Sequence, residues 1–283
     1  MVKPTAGDSG AAGSRAAGPR APQGGHLGFV KTDAELAAWY ELRVRHFPDV
    51  KMLGLMFGLD AAQARHLLPQ PLEQADVPGG LMFFAEYGET NLGPGYREAA
   101  LFLRCSYQGV AGNYCLSMPI DSEASRLHNG RDIYGFPKMA ATIGCSFGPE
   151  RAHGFVERNG VRFVELSVER AAPLDTLPPS GPTYLFKAMP RVDLQPGFDG
   201  PVLLVSQQTE VEPKRIDIGT PQLKLTPSAS DPWHELDSLE PMLGFVLESE
   251  NRMLPGKVLG EVDGAAYLPH YFRMTDMPTH TER

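Results

Sequence analysis

The sequence predicts an α+β fold, mainly antiparallel β, with helices at the periphery. Three observations carry this. Apolar runs of strand length recur through the central and later parts of the chain, whereas helical periodicity is confined to two stretches near its start. Asn159-Gly160 stands between two such runs, and Asn-Gly in that setting is the strongest short-range hairpin signal. The 26 prolines among 283 residues suit short strands and turns better than long helices.

The elements follow in order. Residues 1–28 are rich in Gly, Ala, Pro and Ser and set Lys3, Arg15 and Arg20 against Asp8. They hold no apolar secretory core, and their glycines and prolines would break a transit-peptide helix, so they read as a disordered tail. A single domain over 29–270 follows, with a short C-terminal tail over 271–283. A first helix is expected from Thr32 or Asp33 to about Phe47, with Leu36, Trp39, Tyr40 and Val44 near one face. A second runs from the N-cap Asp60 to Leu68 and stops at Pro69. Strands are expected at Leu81–Ala85, Ala99–Cys105, Tyr114–Met118, His153–Arg158, Val161–Val168, Tyr184–Phe186, Val202–Val205 and Leu243–Leu247. No internal repeat is present.

Composition narrows the function. Hydrophobic content of 42% and charged content of 21% are those of a soluble globular protein. A net charge of -8 suggests neither a nucleic-acid nor an anionic-lipid surface, and no apolar run reaches membrane-spanning length. Cys105, Cys115 and Cys145 are odd in number and widely spaced, which argues against disulfides and zinc and for buried free thiols in a reducing cytoplasm. The histidines show no metal spacing, and no nucleophile elbow or phosphate loop occurs. No cofactor is expected.

Most informative is Asn129-Gly130-Arg131-Asp132-Ile133-Tyr134-Gly135-Phe136-Pro137-Lys138-Met139. It sets one lysine in an apolar, aromatic, bent segment. A lysine can snorkel to water from a strand end. A desolvated lysine instead tends to lose its proton, and a neutral amine can attack a carbonyl to form a Schiff base. On these residues alone the snorkelling reading is the favoured one.

Gly-Arg-Asp followed by an apolar-aromatic run and Pro-Lys resembles the active-site signature of the acetoacetate decarboxylase family. Three further elements resemble that family in the same order: Leu67-Leu68-Pro69-Gln70-Pro71-Leu72-Glu73, Leu92-Gly93-Pro94-Gly95-Tyr96-Arg97-Glu98 and Gly219-Thr220-Pro221-Gln222-Leu223-Lys224-Leu225. The resemblance spans roughly residues 48–262. It implies a closed, cone-like β-barrel, a homo-oligomer and a cofactor-independent lyase acting on a small carbonyl compound, by decarboxylation of a β-keto acid or an aldol/dehydration variant. It makes Lys138 the nucleophile and Glu98 a proton-handling carboxylate, for which pairing with Arg97 is the structural alternative. Arg131 is a supporting charge or a partner of Asp132. Three departures are visible. Met139 stands where the decarboxylases carry a second lysine. Their N-terminal arginine falls at Val50, beside Lys51. A second glutamate falls within Met82-Phe83-Phe84, near Glu86. An apolar pocket walled by Met82, Phe84, Tyr134, Phe136 and Met139 follows. Alternatives are a hydrolase that uses no imine and a non-catalytic binding homologue.

Overall fold

The computed structural model describes residues 28–122, 124–176 and 180–274. The predicted N-terminal tail therefore lies almost wholly outside the described residues. The chain divides into two units, residues 1–41 and 42–283. In the first, α1 (Asp33–Glu41) is capped reciprocally, with Thr32 Oγ1 accepting from Glu35 N–H at 3.2 Å and the Glu35 carboxylate accepting from Thr32 N–H at 2.8 Å. The helix ends well before Phe47, as the sequence reading did not expect. Phe47 precedes Pro48, which disfavours helical backbone there, and residues 45–47 pair instead as a strand. No residue of α1 is buried.

The second unit contains β1 (Arg45–Gly58), α2 (Ala61–Leu67), β2 (Glu73–Gln74), β3 (Gly79–Tyr87), β4 (Tyr96–Tyr107), β5 (Val110–Asp121), α3 (Ala124–Tyr134), β6 (Lys138–Ala140), β7 (Thr142–Phe147), β8 (Arg151–Arg158), β9 (Val161–Pro173), β10 (Thr183–Lys187), β11 (Val202–Gln207), β12 (Thr209–Leu225), β13 (Glu240–Met253), β14 (Lys257–Val262) and α4 (Gly264–Tyr271). The Asn159-Gly160 turn joins β8 and β9 as expected. Asp60 caps α2, accepting from Ala62 N–H at 2.8 Å. A short 3₁₀ turn over Phe272–Met274 extends α4, so ordered chain continues past residue 270. No helix among the described residues is long and apolar enough to cross a membrane.

The strands form one sheet in the order β14-β11-β10-β5-β4-β3-β1-β13-β12-β9-β8-β7, with β2 on β4 and β6 on β5. Pairing is antiparallel except where β6 and β10 lie parallel along β5. The closed barrel implied by the resemblance is not the observed topology: β14 and β7 end the path, and no ladder joins them among the described residues. The sheet instead folds over itself. Gly154 of β8 lies against Phe84 of β3 and Leu53 of β1, so the β7–β9 end meets the β1/β3/β4 stretch face to face, not edge to edge.

This double layer buries Leu53, Leu55, Phe57, Met82, Phe84, Leu101, Leu103, Val156 and Phe163 in the main core. Alternation along each strand sends the next residues to the opposite face. There Phe47, Phe83, Ala85, Tyr87, Ala100 and Phe102 form a second cluster with Met118, Tyr134 and Phe136. The candidate site lies on that second face.

Candidate active site

Lys138 opens β6 and is held by what precedes it. α3 ends at Tyr134, and Gly135 follows with φ of 91°, a conformation suited to glycine. Gly135 N–H donates to Arg131 O at 2.9 Å, and Phe136 N–H donates to Gly130 O at 3.2 Å. Pro137 then leads into β6, where Lys138 is registered with Met118 of β5. Gly130 gives the lysine its path. A Cβ built there would stand 2.2 Å from Lys138 Cε and 2.4 Å from Cδ. The glycine of the Gly-Arg-Asp element thus exists because a lysine stem crosses the helix at that point.

Lys138 and Glu98 are buried, with side chains only 8% and 6% exposed, and they pair directly through Nζ and Oε2. The other carboxylate oxygen accepts the Tyr87 hydroxyl at 3.2 Å. Burial, and then the Glu98 charge, push the Tyr87 phenol well above its ordinary value, so it remains a donor. Tyr96 packs tilted against Tyr87 with centroids 4.7 Å apart, and burial likewise pushes its phenol up. Lys138 Nζ lies 5.7 Å from the Tyr96 centroid and 5.9 Å from that of Phe136. The amine therefore has one carboxylate and two aromatic faces around it.

The pair opens on a cavity of ≈ 1110 Å³. Its walls include Tyr134 and Phe136, as expected from sequence, with Phe47, Met52, Leu81, Phe83, Phe102 and Phe245. Four expected site residues are not there. Met82 and Phe84 belong to the main core, because the strand parity of β3 is one residue away from the expected one. Met139 is half-buried and absent from the cavity lining, since consecutive residues of β6 face opposite ways. Met139 therefore does not wall the cavity. Arg131 is half-exposed and pairs with Asp132 at 3.3 Å, its structural alternative.

The polar surroundings also differ from expectation. Arg97 leaves Glu98 alone, pairing with Glu86 at 2.9 Å and Asp121 at 3.6 Å. Lys51 and Glu86 line a separate, smaller hollow on the far side of Tyr87 and Tyr96. Three arginines that the sequence reading did not single out line the main cavity: Arg45, the first residue of β1, Arg104 of β4 and Arg126 of α3. The signal for Arg126 was available only after α3 was known, since Arg126 and Gly130 share a helix face. Cys105 and Cys115 are buried free thiols and Cys145 a half-buried one; burial pushes Cys105 and Cys145 up to about 12.

Acetoacetate decarboxylases of Burkholderia cenocepacia and Burkholderia vietnamiensis are each 26% identical to this chain, over 203 and 199 residues, covering 69% of it and 79% of the relative. Acetoacetate decarboxylase of Legionella pneumophila has a similar structure, with a TM-score of 0.68, 21% identity and coverage of 77% of this chain and 87% of the other. The enduracididine biosynthesis enzyme MppR complexed with pyruvate gives 0.66, 20%, 77% and 90%. An acetoacetate decarboxylase-like enzyme of Sphingomonas wittichii RW1 gives 0.67, 19%, 77% and 92%. At these identities the structures speak for the fold. The family model described as acetoacetate decarboxylase (ADC) matches residues 34–262, and with most of the chain so covered, the protein belongs to the acetoacetate decarboxylase family of lyases.

Proposed function

We propose that the protein is a cofactor-independent enzyme that forms a Schiff base through Lys138 and uses it to make or break a bond beside the carbonyl of a keto acid. The observation that carries this is the buried Lys138–Glu98 pair at the edge of a large, mainly apolar cavity. Passage of the ammonium proton to Glu98 frees the amine to attack. The carbinolamine then loses water, and Glu98 is placed to return the proton that this step consumes. The resulting iminium accepts an electron pair from an adjacent bond, whether to CO2, to hydrogen or to a second carbonyl-derived carbon. Tyr87 holds Glu98 in place and is a positioning residue. The relatives named as decarboxylases, and the neighbour whose structure contains pyruvate, are in keeping with a small carbonyl substrate. Homo-oligomeric assembly and a cytoplasmic location belong to the same reading.

Borohydride trapping with a panel of keto acids and ketones tests it. A reduced adduct is expected on the peptide containing Lys138 and is absent from folded Lys138→Ala. A clean protein after every incubation would overturn the reading in favour of an imine-free hydrolase or a binding protein.

A further inference from the structure

Arg126 is a buried cation of the cavity, as are Lys138 and Arg45. It lies one helical turn before Gly130, on the face of α3 that covers the Lys138 stem. Its guanidinium stands 4.8 Å from the centroid of Tyr96, the same ring that Lys138 Nζ approaches at 5.7 Å. One nitrogen donates to Thr90 Oγ1 at 3.4 Å and another to Pro94 O. No carboxylate pairs with it among the described residues, and Glu98 is taken by Lys138 and Tyr87. Arg158 and Arg170 instead pair with carboxylates, Asp231 at 2.9 Å and Asp217, whereas Arg273 is held, like Arg126, by backbone carbonyls beside a tyrosine ring. A desolvated guanidinium without a counter-anion is unfavourable, and its remaining donors suit a planar carboxylate.

We propose that Arg126 binds the carboxylate of an α-oxo acid with a large apolar tail, and that this carboxylate stays on the product. The inference rests on the imine reading above. The tail follows from the cavity, whose ≈ 1110 Å³ and walls of Phe47, Met52, Leu81, Phe83, Phe102 and Phe245 far exceed a three-carbon acid. Retention follows from the charge on Arg126. A guanidinium stabilises a carboxylate that is present and loses that interaction as CO2 departs, so it disfavours expulsion. In an α-oxo acid the iminium carbon bears the carboxylate, so the electrons of a departing CO2 would have no sink. The bond that breaks is the C–H on the other side. Nζ adds to the oxo carbon, the oxygen leaves as water, the adjacent C–H proton passes to Glu98, and its electron pair becomes the enamine C=C.

The test uses the full chain in D2O with α-oxooctanoate, pyruvate and methyl hexyl ketone, following deuterium uptake by mass and CO2 release from carboxyl-labelled acid. Wild type is expected to exchange the α-oxooctanoate protons, to prefer it to pyruvate, and to release no CO2. Arg126→Gln should lower the kcat/KM ratio of acid to ketone roughly tenfold to a hundredfold, the worth of a charge-assisted hydrogen bond, mainly through KM. Arg126→Lys should recover part of it and carries the test should the Gln variant fail to fold. An unchanged ratio, a preference for pyruvate or label appearing as CO2 would overturn the inference while leaving the imine intact. Failure of every carbonyl compound to be trapped on Lys138 would overturn the imine reading itself.

Discussion

The lysine at the centre of this site is defined by three neighbours that differ in kind. Glu98 pairs with it, Tyr87 donates to Glu98, and Gly130 yields it space. Each can be altered separately. Tyr87→Phe keeps the ring contact with Tyr96 and removes one donor to a charged acceptor, an interaction of about 1.5–3 kcal/mol. A drop in trapping rate of roughly tenfold or more is expected, and a rate equal to wild type would show that Glu98 needs no such support. Gly130→Ala separates stability from chemistry. Alanine favours the helix by roughly 1 kcal/mol. Its Cβ would displace the lysine stem. Thermal stability should hold while trapping on Lys138 falls; a variant that traps normally would mean the stem has another path. At this scale the sequence was readable where a motif was dense. Lys138 and Glu98 sit in short stretches whose neighbours constrain them. Arg126 sits in an unremarkable helical turn, and only folding brings it onto Tyr96 beside the lysine.

At the scale of elements, the decisive fact is parity. The apolar run of β3 was plain in the sequence, but Leu81 to Ala85 has no polar residue to mark which face is which. Both faces of β3 are covered, so alternation carries no signal there. Truncation distinguishes the faces. Phe84→Ala should destabilise by about 3–5 kcal/mol in chemical denaturation, because its cavity lies in the main core. Phe83→Ala should change KM for long-tailed substrates more than it changes stability. The opposite pattern would reverse the assignment. α3 was equally hidden: Asn, two glycines and a proline in one stretch read as a bend, and its helix depends on packing against β10 and β6. α4 offers a pH test. Burial, then Arg273 and His66, lower the His270 pKa from its ordinary 6.5. The folded form then binds fewer protons than the unfolded chain just below that value, so stability is lost as pH falls from about 6.5 through the lowered value. His270→Gln should flatten the acid side of the melting-temperature profile in that window, and an unaltered profile would remove His270 from the account.

For the whole molecule, the open sheet has a consequence that concerns synthesis. The long ladder next to β3 joins residues 45–58 of β1 to residues 240–253 of β13. Nearly two hundred residues leave the ribosome between those partners. Until they do, β1 has only β3 beside it, and Arg45 at its head and Met52 within it have no finished cavity to line. Pairings this distant in sequence form slowly. The nascent chain therefore carries its glutamate and its lysine early, on β4 and β6, yet acquires the far wall of its pocket only once β13 has been made. A stalled or prematurely terminated product would leave Phe83, Phe102 and Phe136 without their opposite wall, an exposed apolar surface that quality control must meet before the enzyme is complete.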